Sequence, residues 1–479
     1  MIHNRNKLFV IGVLACLCSC QRILPEEMTE VVLSRCLTPS SLGTSIENDF
    51  DVKFSWIAMK DADVYNLVIA TDEECTQVVK TVSVPADEVP YMVTLEPGTY
   101  YFKVQATAED RDPSNWTYCT KPVKVTKPLV TIDLSEKETA NCYIVSEGGK
   151  YKFKATKGCK SDLIDAIASI GIVWETSVET EGTALESQSV ISQLSYSNGY
   201  VEFLTPIPLK PGNALLAAKD KDGNILWSWH IWATEDKIQD VVVDEGLILL
   251  DRNIGELSSS ARTSLLYQWG RKDPFPGMDG NGKKVTVAGT ATTYVNTTKS
   301  VADATKTPTV LYGKVSTNGA EPYALKDGDT YFWGHYQDGL KTEYDPCPAG
   351  YKVSKSVADP EKKQSDYNDL NITRYTALSA LTFQDNAYQA TLANGSKISF
   401  SCTGYYLINT DAAGKAASEL VFAEKTSVFW TSLLGNKRQG SCVRIDETGT
   451  KFWWYTGDKA AKYHAKNNAY PVRCEKMGE

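Results

Sequence analysis

The chain has 479 residues, of which 42% are hydrophobic and 10% aromatic, enough for about three domains on the usual scale of 100 to 200 residues each. A formal net charge of −9 with no long Lys/Arg run lacks the basic patch that phosphate binding requires, so nucleic acid is not an expected partner. Beyond the N-terminal segment no apolar stretch approaches the roughly 20 residues of a membrane span.

Residues 1–19 read as an export signal. Arg5 and Lys7 precede an apolar run from Leu8 to Ser19, too short for a membrane span and closed by a small residue before Cys20. Leu17-Cys18-Ser19-Cys20 resembles a bacterial lipobox, which implies cleavage before Cys20 and acylation of that cysteine, with Cys16 as the second-best site. An ordinary secretory signal is the competing reading. The resemblance implies a mature chain held by lipid at the outer membrane, on the cell surface or the periplasmic face, with 48 basic against 59 acidic side chains. Nine cysteines remain beyond Cys20, in a compartment where disulfides persist. Residues 20–38 read as a polar tether, although Val31-Val32-Leu33 also suits a first strand.

Residues 39–127 alternate between short strands and turn residues. Phe50 to Trp56 has a period of two, Tyr65 to Ile69 follows, and Thr99 to Ala106 comes after the turn Glu96-Pro97-Gly98. Phe54-Ser55-Trp56, Ala62 to Leu67, Leu95 to Ala106 and Ser114-Asn115-Trp116 together resemble a fibronectin type III domain, which implies a β-sandwich with Trp56 and Tyr100 as core and corner residues.

Residues 128–243 form a second β-rich segment. It opens on Ala140-Asn141-Cys142-Tyr143-Ile144-Val145 and closes on two apolar stretches flanking Asp220-Lys221-Asp222-Gly223-Asn224, a hairpin turn by its Asp-Gly content. In Trp227-Ser228-Trp229-His230-Ile231-Trp232 side chains alternate along a strand, so Trp227 and Trp229 share one face and Trp232 takes the other. These strings resemble a module of fimbrillin-like surface proteins of Bacteroidetes.

In residues 244–479 five motifs occur in order: Leu249 to Gly255, Leu265 to Phe275, Tyr344 to Val353, Phe429-Trp430-Thr431-Ser432 and Tyr470-Pro471-Val472-Arg473-Cys474. Together they resemble the major paralogous domain of secreted and surface proteins of Bacteroidetes, which implies a C-type-lectin-like, α+β fold. The predicted fold class is therefore mainly β with an α+β C-terminal domain. One departure is Lys352-Val353-Ser354, where that family usually ends in proline. Residues 279–330, rich in Gly, Thr and Asn, read as a long insertion or surface loop. The lectin-like resemblance puts the strand after Cys347 beside the final strand and implies a Cys347–Cys474 disulfide; Cys402 and Cys442, which lie in no framework motif, are the natural second pair.

Catalytic signatures are scarce. His230, His335 and His464 form no metal-binding pair, and no nucleophile elbow, phosphate loop or dinucleotide fingerprint occurs. Asp279-Gly280-Asn281-Gly282 begins like a calcium loop, but Thr290 stands where the bidentate Glu belongs, and a glycine-rich turn is the better reading. No enzyme activity, cofactor or metal is expected. What the last segment does concentrate is aromatic surface: Tyr405, Tyr406, Trp453, Trp454 and Tyr455 are the candidate ligand-binding residues, Trp430 being assigned to the core. The expected role is non-catalytic binding or adhesion toward an extracellular protein or glycan. The rival readings are an accessory or tip subunit of fimbria-like appendages, with other fimbrial subunits as partners, and a glycan-binding lipoprotein of a nutrient-uptake system.

Overall fold

The computed structural model describes residues 34–478 apart from 49, 245, 259–262, 317–318, 324–331, 335–339, 356–380, 412, 435–439 and 454–464. The described residues are almost all β, and the chain divides after Pro128 into two compact units.

In the first unit β1 (Ser40–Asn48), β2 (Asp51–Ile57) and β5 (Tyr91–Thr94) form one sheet in the order β1-β2-β5. The other runs β4-β3-β6-β7, from β3 (Val64–Ala70), β4 (Val78–Pro85), β6 (Gly98–Thr107) and β7 (Thr117–Tyr118), and β8 (Val123–Val125) pairs with the start of β6. Alternation decides what faces inward: Val52, Phe54 and Trp56 on β2 meet Tyr100, Phe102, Val104 and Ala106 on β6 in one core. Phe54 packs edge-on against Phe102 at 4.9 Å; Trp56 is buried in the same core and the Tyr100 hydroxyl donates to Glu96 O at 2.9 Å, the core and corner roles expected of Trp56 and Tyr100. This is a β-sandwich. It reaches further back than the expected tether, because Arg35 bridges to Asp112 and Cys36 is buried in the same core.

The second unit, residues 129–479, is assembled from several small sheets. β9 (Thr131–Asp133), β11 (Lys150–Lys154), β13 (Ser192–Ser197) and β14 (Tyr200–Leu204) lie in the order β13-β14-β11-β9. β10 (Cys142–Val145), β12 (Ser169–Thr176), β15 (Gly212–Lys219), β16 (Ile225–Ala233) and β21 (Ala288–Gly289) lie in the order β10-β16-β15-β12-β21. β17 (Asp240–Asp244), β18 (Leu247–Leu250), β36 (Cys474–Lys476) and β26 (Tyr351–Val353) form a third sheet. β20 (Phe275–Asp279), β19 (Thr263–Gln268), β35 (Ala469–Tyr470), β30 (Tyr405–Thr410) and β31 (Ala416–Val421) form a fourth. Two three-stranded sheets follow, β27 (Thr382–Gln384), β28 (Ala387–Thr391), β29 (Lys397–Ser401) and β32 (Ser427–Leu434), β33 (Gly440–Asp446), β34 (Gly449–Trp453). β22 (Thr293–Val295) pairs with β23 (Val310–Tyr312), and β24 (Lys314–Ser316) with β25 (Gly319–Tyr323).

The middle and last segments, expected as successive domains meeting at residue 243, share a core. Cys142, Trp174, Leu215 and Trp232 pack in one cluster with Leu250, Tyr267, Trp269, Trp430 and Tyr470. The tryptophan string explains how: Trp227 and Trp229 enter the middle segment's own core, while Trp232 on the opposite face enters the shared one. Polar links seal the junction. Lys272 Nζ, 3% exposed as a residue, donates to Ser228 Oγ at 2.6 Å and Asp273 Oδ1 at 2.5 Å and lies 4.5 Å over the Trp227 ring. Asn141 Nδ2 donates to Glu343 O at 2.7 Å and Asp345 O at 2.9 Å.

Residues 279–330, expected as a surface insertion, join the framework where they are described: β21 pairs with Trp174 and Glu175 of β12, and Val301, Ala304 and Tyr312 are buried in the shared core. Where the resemblance implied an α+β domain, the described residues of the last segment carry one helix of four residues, α1 (Val301–Ala304). The serine at the expected proline has a use: Ser354 N–H donates to Arg473 O at 3.2 Å, a bond proline cannot make.

Candidate functional site: an aromatic cleft on the last segment

Tyr405 and Tyr406 are neighbours on β30 and face opposite ways. The Tyr406 ring packs against a small core of Leu266, Phe275, Leu311 and Ile408, and its hydroxyl donates to Pro276 O at 3.3 Å. It belongs to the framework. Tyr405 is half-buried on the other face, where with Phe422, Thr426, Val428, Arg444 and Tyr470 it lines an open cleft of about 230 Å³.

Local sequence builds this cleft. Gly404 has φ +87°, and a Cβ there would lie 2.3 Å from Val421 O, so the sharp entry into β30 requires glycine. The β30–β31 hairpin sets Tyr405 opposite Val421, and the chain then passes Phe422 and Thr426 into β32. Val428 on β32 is the register partner of Arg444 on β33. Behind the opening the rings run inward in edge-to-face steps, Tyr405 to Tyr470 at 5.0 Å and Tyr470 to Trp430 at 4.6 Å. Trp430 is fully buried and donates from Nε1 to Tyr267 O at 2.7 Å, the core role assigned to it. Burial holds the Tyr470 phenol well above its ordinary pKa, so it stays neutral.

At the rim the Arg444 guanidinium pairs with Asp446, Nε to Oδ2 at 3.0 Å. The cleft therefore offers the Tyr405 and Phe422 rings, hydroxyls and a charge-balanced guanidinium. Its volume lies below the roughly 300 Å³ at which pockets for drug-sized ligands begin, which suits one ring-sized group of a larger ligand. Of the other expected site residues, Trp453 is described through its backbone, which pairs with Cys442 across β33 and β34. Trp454, Tyr455 and Cys20 lie outside the described residues.

Cys347 and Cys474 are joined, with Cα atoms 5.9 Å apart, both fully buried. Cys402 and Cys442 are not joined, contrary to expectation. The reason is the sheet between them: on β33 Val443 and Ile445 face the core that holds Cys402, while Cys442 points through the other face into the shared core.

A constellation that the sequence did not announce lies in the middle segment. Cys142 Sγ is 3.3 Å from His230 Nδ1, and His230 Nε2 is 2.9 Å from Asn213 Oδ1, while Asn213 Nδ2 donates to Gly255 O at 2.9 Å. Asn213 therefore presents its oxygen to the ring. That fixes Nε2 as the N–H and Nδ1 as the acceptor of the thiol proton. Cys-His-Asn is the order of parts in a thiol nucleophile, yet all three residues are buried in adjacent strands. Desolvation raises the thiol pKa and lowers that of the imidazole to about 3, so both partners are neutral at physiological pH. This trio is a hydrogen-bonded strut across β10, β16 and β15, not a nucleophile. Among the described residues no group of three or more His, Cys, Asp or Glu is placed to hold a metal ion, and no helix is long and apolar enough to cross a membrane.

No known family profile and no curated protein matches the chain. The solved structures similar to parts of it include the fn3 domain of human collagen alpha-1(XX) chain, 23% identical over 19% of this chain and 85% of that one with a TM-score of 0.16. They also include the fn3 domain of human contactin 1, at 16% identity over 21% of this chain and 91% of that one with a TM-score of 0.16. A two-domain fibronectin type III segment of chicken tenascin is 12% identical over 41% of this chain and 99% of that segment, with a TM-score of 0.18.

Proposed function

We propose that this is a lipid-anchored protein of the cell envelope, held at the outer membrane through Cys20, whose role is non-catalytic binding of an extracellular protein or glycan. The observation that carries the reading is the Tyr405 cleft: a half-buried ring backed by the Tyr470–Trp430 stack and flanked by the Arg444–Asp446 pair. The rigid stack limits the entropy lost on binding, and the open side of the half-buried ring provides a platform on which a sugar ring or an apolar side chain stacks. The test is a glycan and host-matrix binding screen on the full mature chain, repeated with Tyr405→Ala. A hit that the substitution weakens at least tenfold, without change in unfolding temperature, supports the reading. A hit indifferent to Tyr405→Ala, or turnover of the bound ligand, overturns it.

A further inference from the structure

We infer that the seam between the middle and last segments carries a second binding site, one that takes a small zwitterion with an apolar body, such as a di- or tripeptide with both ends free. The seam holds an open cleft of about 530 Å³, inside the range of roughly 300 to 1,000 Å³ that suits small-molecule ligands. The loop after β11 lines it with Lys157, Lys160, Asp162 and Asp165, and the last segment adds Glu343. Among the described residues none of these five side chains takes part in a hydrogen bond or an ion pair. Lys157 leans over the Trp227 ring, with Nζ 5.9 Å from its centre.

The backbone beneath these charges is fixed. Lys160 N–H donates to Lys157 O at 3.1 Å and Ile164 N–H to Ala155 O at 2.8 Å, while Thr139 Oγ1 donates to Lys160 O at 2.8 Å. Gly158 has φ +54° and runs so close to the last segment that a Cβ there would lie 2.4 Å from Glu343 O. Asn141 Nδ2 donates to that same carbonyl at 2.7 Å. The stems of the lysines and carboxylates are thus positioned before any ligand arrives, which limits the cost of ordering them on binding.

The mixture of charges selects the ligand class. Two ammonium groups and three carboxylates share the cleft, so a simple anion meets the repulsion of the acids and a simple cation that of the lysines. A molecule with one charge of each sign is attracted at both ends. Among the charges lies apolar surface: Leu163 is 48% exposed, and Ile164 and Leu226 are seated in the middle segment's core behind it. A single exposed leucine is ordinary, but here it stands inside a cleft with charges of both signs and gives the body of the ligand a surface to bury. An unblocked short peptide with an apolar side chain has these three parts in one molecule.

The experiment is equilibrium dialysis of the full mature chain against the radiolabelled tripeptide alanyl-leucyl-alanine. Saturable binding is expected, weakened about fivefold or more by N-acetylation of the peptide and likewise by C-amidation. Lys157→Gln with Lys160→Gln should bind the free peptide as weakly as the parent binds the amide and be indifferent to amidation. Asp162→Asn, Asp165→Asn and Glu343→Gln together should be indifferent to N-acetylation in the same way. Because these side chains make no hydrogen bond or ion pair, the variants should keep the parent's unfolding temperature. Tyr405→Ala should leave peptide binding unchanged. Absence of saturable binding, dependence on one end of the peptide alone, binding indifferent to both sets of charge substitutions, or loss of binding in Tyr405→Ala overturns the proposal.

Discussion

Replacing Cys347 and Cys474 together by alanine isolates what the covalent link between the residues preceding β26 and the last strand contributes. The bond closes a loop with a sequence separation of 127, and in the chain-entropy treatment a loop of that length confines the unfolded chain by about 5 kcal/mol at room temperature. The native geometry on both sides is held independently. Asp345 accepts the N–H groups of Cys347 and Val353 at 2.8 and 2.9 Å, and Lys341 Nζ donates to Cys347 O and Pro348 O at 2.7 and 2.8 Å. On the other side Arg473, fully buried, donates to Asn253 Oδ1, Leu250 O and Ser399 O. Losing the bond should therefore leave the fold in place and act on the unfolded ensemble. The assay is urea unfolding followed by tryptophan fluorescence on three samples: the oxidised chain, the chain reduced in denaturant and refolded and unfolded in dithiothreitol without alkylation, and the double alanine variant. The last two should unfold at clearly lower urea than the first. Because both cysteines are fully buried, dithiothreitol should have no effect on the oxidised protein until it unfolds. Coincident midpoints for oxidised and reduced chains, or alkylation of either cysteine in the folded, unreduced protein, would refute this account.

Cys20→Ala should move the protein from the membrane to the soluble fraction or stall its processing; unchanged fractionation and processing would place the anchor at Cys16 or elsewhere. The fully buried Glu175 carboxylate clamps the N–H groups of Gln188, Ser189, Val190 and Ile191 at 2.6, 3.3, 3.1 and 2.9 Å. Glu175→Gln keeps one carbonyl oxygen for four backbone donors and turns an NH₂ toward the rest, a loss of about 3 kcal/mol, and a thermal-unfolding change below about 1 kcal/mol would reject the clamp. Burial raises the Asp345 pKa to about 6, so the folded chain keeps a proton that the unfolded chain releases near pH 4, and this contribution to stability falls as pH rises from 4 to 6. His230, held down to about 3 by burial, works in reverse: the unfolded ring takes up a proton below about pH 6.5 that the folded ring refuses, and stability falls as pH drops. The two slopes, about 1.4 kcal/mol per pH unit each, oppose one another between pH 4 and 6. Relative to the parent chain, Asp345→Asn should therefore lose about 2 to 3 kcal/mol on going from pH 6 to pH 4, and His230→Gln should gain a similar amount; parallel urea-midpoint profiles for all three proteins would dismiss both assignments.

What the sequence disclosed and what it withheld divide along one physical line. Features set by local periodicity were legible: the inward set of β2 and β6, the hairpin at Asp220 to Asn224, and the division of Trp227 and Trp229 from Trp232 all follow from side chains alternating along a strand. The Cys347–Cys474 pairing was reached through family resemblance, whereas Cys402 and Cys442, which lie in no framework motif, were paired without that support and are not joined, because which face of β33 a thiol occupies depends on register that composition does not carry. Contacts closed over long loops stayed hidden. Cys142 meets His230 through a parallel pairing of β10 with β16, and β21 reaches β12 from more than a hundred residues away.

The same division bears on where function sits. A buried network such as Cys142–His230–Asn213 specifies how strands come together, and its polar groups are consumed by one another. A binding surface needs groups that the fold positions and leaves in reach of solvent. Tyr405 answers to that description, because Gly404 sets its strand, Tyr470 and Trp430 fix its ring from behind, and its other face opens on the cleft. Tyr406, one residue on, does not, since alternation turns it onto Leu266 and Phe275. Two adjacent tyrosines indistinguishable in sequence thus receive opposite fates from the strand they share, and binding that depends on Tyr405 must survive conservative change at Tyr406 so long as the small core beneath it still packs.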